Sequence, residues 1–113
     1  MIENLQALVV GYGSIGARHR DALTGLGIEV EIVSRRRHVG KYDTVTEAIN
    51  GTEVDYVVIA TETEHHLQAV TELIHGDYRG RVLVEKPYAP FPLKAPEHSF
   101  RSLGVGYHLR FHP

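Results

Sequence analysis

The sequence predicts an α/β fold: a single domain built on a doubly wound, mostly parallel sheet. Three observations carry that expectation. Apolar, β-branched runs alternate with segments of helical periodicity, the connections between them are short, and a G-x-G-x-x-G turn at Gly11, Gly13 and Gly16 joins the first run to the first helical segment. Strands that alternate with helices at such spacing form right-handed βαβ units. The ligand crevice of such a sheet lies at the carboxyl ends of its strands.

Each element has its own signal. Ala7–Val10 is apolar throughout and reads as the first strand. Ile15–Leu26 follows as a helix, with Gly25 and Gly27 as stop signals. Val30–Val33 reads as the second strand, apolar at Val30, Ile32 and Val33. Thr44 and Glu47 have capping-box spacing, and Gly51 marks the end of a short helix. Tyr56–Ala60 is a continuous β-branched run, suited to a strand buried on both faces. Leu67–Ile74 is apolar at Leu67, Ala69, Val70, Leu73 and Ile74, a helical spacing that Gly76 can end. Arg81–Glu85 reads as a further strand, and Ser102–Tyr107 as a last one that Gly104 and Gly106 weaken. Pro87, Pro90, Pro92 and Pro96 rule out a long helix in the segment between.

Composition excludes several classes. A length of 113 residues suits one domain and is short for two. A net charge of −2 gives no pull toward nucleic acid or an anionic membrane, and Arg35–His38 is too short a basic run to change that. No apolar run approaches the roughly 20 residues of a membrane span. The first six residues lack the layout of a signal peptide, so a cytoplasmic location is expected. The absence of cysteine removes disulfides, thiolate catalysis and Cys-ligated metals. His65 and His66 are adjacent and cannot share a helix face, and His108 and His112 precede Pro113 in an extended-looking segment. The histidines therefore read as structural or surface residues, and no metal site is expected.

The glycine turn carries the chemistry. Gly11 permits a tight turn, Gly13 lets backbone approach a pyrophosphate, and Gly16 lets the helix pack close to the strand. With Ser14 and Ile15, these residues offer free N–H groups at a helix N-terminus. At the end of the second strand, many nicotinamide sites place a carboxylate on the ribose 2′-hydroxyl. Here Ser34, Arg35 and Arg36 stand instead. A hydroxyl and two guanidinium groups suit a 2′-phosphate, so NADP is favoured over NAD. Lys86 follows the strand ending at Glu85; on spacing alone it reads as a surface lysine.

Together these pieces resemble the Gfo/Idh/MocA family of NAD(P)-dependent oxidoreductases. The matching stretches are Val9–His19, Val54–Thr61 with His66, Val82–Pro87 and Gly106–Pro113. The resemblance implies a Rossmann fold with strand order 3-2-1-4-5-6 and a nicotinamide cofactor. It implies that Lys86, in Glu85-Lys86-Pro87, contacts substrate and cofactor and assists proton transfer, with Glu85 and Pro87 positioning it. Thr61 falls near the nicotinamide, and His66 on a family histidine five residues later. Three departures stand out: Glu62 replaces a usual proline, the segment after Pro87 is short and Pro-rich, and the chain ends where the family's substrate domain begins.

The expected role is thus the NADP-binding domain of an oxidoreductase that moves hydride between nicotinamide and a sugar- or cyclitol-like hydroxyl substrate, with Lys86 as its catalytic residue. The cofactor-binding set is Gly11, Gly13, Ser14, Ile15, Gly16, Ser34, Arg35, Arg36, Thr61, His66, Glu85 and Lys86. A homo-oligomer, or a partner chain bringing the substrate domain, is the expected assembly. A second reading is a stand-alone module that binds NADP or CoA without catalysis.

Overall fold

Runs of β-branched residues become parallel strands, and helices fill the connections between them. The computed structural model describes residues 5–34, 40–61, 65–85 and 99–106, with 104–106 as backbone alone. In chain order the elements are β1 (Gln6–Val10), α1 (Ser14–Gly25), β2 (Glu29–Val33), α2 (Val45–Gly51), β3 (Tyr56–Ile59), α3 (His66–His75), β4 (Arg81–Glu85) and β5 (Ser102–Gly106). The sheet order is β2-β1-β3-β4-β5, and every pairing is parallel. β5 forms with its two glycines, Gly104 opposite Leu83, as the outermost strand among the described residues.

The expected order 3-2-1-4-5-6 holds with one place reduced. Beyond β2, among the described residues, a single parallel bridge joins Val33 to Tyr42. Ser34 N donates to Tyr42 O at 3.0 Å, and Tyr42 N to Ile32 O at 3.4 Å. Two residues later Thr44 caps α2, which leaves no length for a full strand.

Strand alternation splits the core in two. Toward α2 and α3 lie Leu8, Val10, Val57, Ile59, Val82 and Val84, packed against Val45, Ala48, Val70 and Leu73. Toward α1 lie Ala7, Val9, Val58 and Leu83, packed against Leu23. Val57, Val58 and Ile59 are wholly buried, as a central strand covered on both faces requires.

The helix ends follow local chemistry. Thr44 Oγ1 accepts from Glu47 N at 3.1 Å, the capping box read from the sequence. α1 ends in a Schellman turn: Ile28 N donates to Leu23 O, Gly27 N to Thr24 O, and Gly27 takes φ +84°. Gly25, expected as a stop, is the last residue of the helix. α3 ends in the same turn, with Tyr78 N to Leu73 O and Asp77 N to Ile74 O. There the left-handed residue is Asp77 at φ +58°, while Gly76 stays at φ −82°. A Cβ on Gly76 would meet the end of the Ile49 side chain, which would have to move.

Two predictions come from this region. An L-residue in the left-handed well costs roughly 1–2 kcal/mol, partly relieved for Asp. The exposed Asp77–Arg79 pair, at 3.3 Å, offsets at most a fraction of that. Asp77→Gly should therefore stabilise the fold by roughly 0.5–1 kcal/mol in urea unfolding. The second concerns Tyr78, which packs on Phe100 and donates to Arg81 O at 3.0 Å. Burial first, then the carboxylate of Asp55, raises its phenol above the usual 10.0. The phenol thus stays protonated in the fold while the unfolded chain begins to ionise. Stability should be full below about pH 10 and fall as pH rises beyond it, and Tyr78→Phe should flatten that fall in urea midpoints taken at rising pH.

Candidate functional site

The crevice opens where the sheet changes direction. β1 is central, with β2 on one side and β3 on the other, so the two crossovers leave its carboxyl end open. Gly11 N donates to Val33 O at 2.8 Å, and Ala60 N to Val10 O at 2.8 Å. These bonds draw the ends of all three strands together beneath the glycine turn.

The three glycines do different things. Gly11 takes φ +90°, and a Cβ there would stand 2.9 Å from Thr61 N and Cα. A Cβ on Gly16 would collide with Gly11 O. Gly13 is different: a Cβ would meet no atom within 4 Å and would project into open space. That emptiness, beside a helix start, is the room a phosphate needs. Gly13 caps α1 without a side chain, and the first turn holds no acidic residue. The first intrahelical bond is Ala17 N to Gly13 O, so the N–H groups of Ser14, Ile15 and Gly16 have no intrahelical partner. They form the donor set for an anion.

From this turn a groove of about 430 Å³ runs between α2 and α3. Gly11, Gly13, Ser34 and Thr61 line it. Ser34 is buried at the end of β2, held there by its bond to Tyr42. Thr61 Oγ1 is buried without a hydrogen bond among the described residues.

His66 sits differently from the expectation of a cofactor contact. It is 1% exposed, and its Nε2 donates to Thr61 O at 2.7 Å. It lies behind the groove wall and fixes Thr61 from within. Glu85 ends β4 and pairs with His19, Nε2 to Oε1 at 2.6 Å. Arg35, Arg36 and Lys86 fall outside the described residues.

Sequence reasoning missed several lining residues. Tyr12 lines the mouth, with the Arg20 guanidinium 5.8 Å from its ring centroid. Its place inside the glycine motif was the available signal. His65, Gln68, Ala69 and Glu72 line the far wall from one face of α3. Glu72 Oε1 also accepts from Thr46 N at 3.3 Å and Thr46 Oγ1 at 3.1 Å, tying α3 to the start of α2. Asp43 lies beside Ser34 because the Val33–Tyr42 bridge holds it there.

Comparison with known proteins accords with this geometry. The family model GFO_IDH_MocA, an oxidoreductase family with an NAD-binding Rossmann fold, matches residues 5–99. Among solved structures, GenD2 from gentamicin A biosynthesis, in complex with NAD, is 31% identical with a TM-score of 0.65. The match covers 79% of this chain and 28% of GenD2. The WlbA dehydrogenase from Chromobacterium violaceum, in complex with NADH and UDP-GlcNAcA, is 21% identical with a TM-score of 0.59, covering 78% of this chain and 29% of WlbA. RSP in complex with β-NADH, at 13% identity and TM-score 0.67, shares the fold over 92% of this chain and 54% of its own. No curated protein sequence matches. The chain thus spans under a third of GenD2 and of WlbA.

The glycines should separate in a titration. Gly13→Val meets no neighbour and keeps an extended backbone, so urea stability should stay within about 0.5 kcal/mol. Its side chain fills the phosphate space, so dinucleotide affinity should fall at least tenfold, or about 1.4 kcal/mol. Gly11→Ala should lose both affinity and roughly 1–3 kcal/mol of stability, from its positive φ and the contact with Thr61.

Proposed function

The chain belongs to the Gfo/Idh/MocA oxidoreductase family, and from that premise we propose that it is the NADP-binding part of an enzyme acting on a sugar- or cyclitol-like alcohol. The reading rests above all on the glycine turn at the switch point, with its open N–H groups and the vacant space at Gly13. Ser14, Ile15 and Gly16 hold the pyrophosphate through backbone donors, while Gly11 and Gly13 keep the turn tight and give it room. Ser34, lining the groove at the end of β2, and the adjoining Arg35 and Arg36 hold the adenosine 2′-phosphate. Thr61, pinned by His66, forms the wall against which the nicotinamide half rests.

The bound dinucleotide supplies the acceptor or donor for hydride. Lys86, directly after β4, donates to the substrate oxygen and takes or returns its proton. The substrate class rests on family membership and on WlbA, whose structure holds a nucleotide sugar. The rest of the catalytic apparatus lies outside these 113 residues.

Titration of the purified protein with NADPH and NADH tests the adenosine end. NADPH should bind at least tenfold tighter, and Arg35→Glu with Arg36→Glu should erase or reverse that ratio. Equal or tighter NADH binding refutes the 2′-phosphate assignment and leaves the dinucleotide site. Binding of CoA in place of either dinucleotide refutes the oxidoreductase reading.

A further inference from the structure

We propose that His19 is a positioning residue for Lys86, acting through Glu85. The proposal deepens the oxidoreductase reading and rests on it for the role of Lys86. Four ion pairs join described residues, and one of them is shielded from water. His19 and Glu85 side chains are 14% and 13% exposed, whereas one partner in every other pair is at least 44% exposed. A carboxylate only accepts, so the 2.6 Å contact puts a proton on His19 Nε2. The residues are 66 apart in sequence. The bond therefore joins the second turn of α1, the helix that begins at the glycine turn, to the last residue of β4.

The sheet explains why that residue needs a tie. The β3–β4 ladder stops at Ile59 and Val84. Glu85 pairs only toward the edge, with Gly106 of β5. On the β3 side the strand end has lost its neighbour one residue before Lys86. By strand alternation Glu85 shares the face of Leu83, which packs toward α1. His19 reaches Glu85 from that face and replaces the missing ladder contact. The tie holds Glu85, the residue before Lys86, in place relative to the phosphate-binding turn, and a proton-transfer group needs placement within a few tenths of an ångström.

The test reads the amine itself. The free protein is acylated with an amine-reactive ester across pH, and modification at Lys86 is followed by mass spectrometry, with exposed Lys41 as internal control. His19→Leu removes the tie, and Lys86 labelling should change at least threefold, equivalent to about half a pKa unit, while Lys41 is unaffected. His19→Gln retains an N–H donor and should stay close to wild type. Glu85→Gln should also change Lys86 labelling, and it decides the matter if His19→Leu does not fold. Unchanged Lys86 labelling in a folded His19→Leu or Glu85→Gln protein overturns the proposal. NADPH and NADH titration of the wild type is a separate readout, so loss of the dinucleotide reading and loss of the His19 role are told apart.

Discussion

The structure depends on a place where backbone packs on backbone with no room for a side chain. Gly11 faces the main chain of Thr61, and Gly16 faces the carbonyl of Gly11. Each close approach replaces a side-chain contact with a main-chain one, so the first turn of α1 lies against the strand ends. If either position carried a Cβ, the helix would have to withdraw and its N–H groups would leave the crevice. The fold and the candidate anion site are therefore one constraint. The same packing that completes the sheet's carboxyl edge aims the helix donors, and Gly13, which packs on nothing, is left to the ligand.

The second wall of the groove has a different origin. It depends on polar ties rather than on close backbone. Glu72 binds the start of α2, Thr44 caps that helix, and the Val33–Tyr42 bridge holds its approach beside β2. Neutral hydrogen bonds of this kind contribute about 1 kcal/mol each, and those to a carboxylate somewhat more. The glycine wall is set by excluded volume, which is steep. The α2–α3 wall combines a few bonds of modest strength with the packing of Val45, Ala48, Val70 and Leu73 on the sheet.

Much of this was legible in the residues. β-branched runs gave the strands, since a strand buried on both faces admits few polar residues, and Tyr56–Ile59 is the clearest case. The Thr44–Glu47 box and Gly27 gave helix ends, because each satisfies backbone groups locally. What was not legible was set by tertiary contact. The third-strand position shrank to Tyr42 because α2 begins two residues later. Asp77, rather than Gly76, took the left-handed turn because the Tyr78 to Leu73 bond places Asp77 at the position after the cap. Of two adjacent histidines, helix phase alone sent His66 inward to Thr61 and His65 to the groove. The first two outcomes have no local pattern, whereas the third follows the helical spacing of His66 from Ala69, Val70 and Leu73.

The His19–Glu85 contact was the least visible in sequence and carries weight in the energetics. Exposed pairs such as Lys41–Glu31, at 3.6 Å, are worth between zero and about 1 kcal/mol. Removing one partner from a fully buried pair costs roughly 3–5 kcal/mol, because the survivor is left desolvated. A pair about one-seventh exposed lies between these limits. An apolar pair of similar size would serve stability at least as well, so stability alone does not account for a charge-capable pair at this point. Direction does: a hydrogen bond fixes the angle and register between α1 and the end of β4, whereas apolar contact fixes only distance. The element it orients is the one that delivers the chain to Lys86, and the element it orients against begins at the phosphate turn.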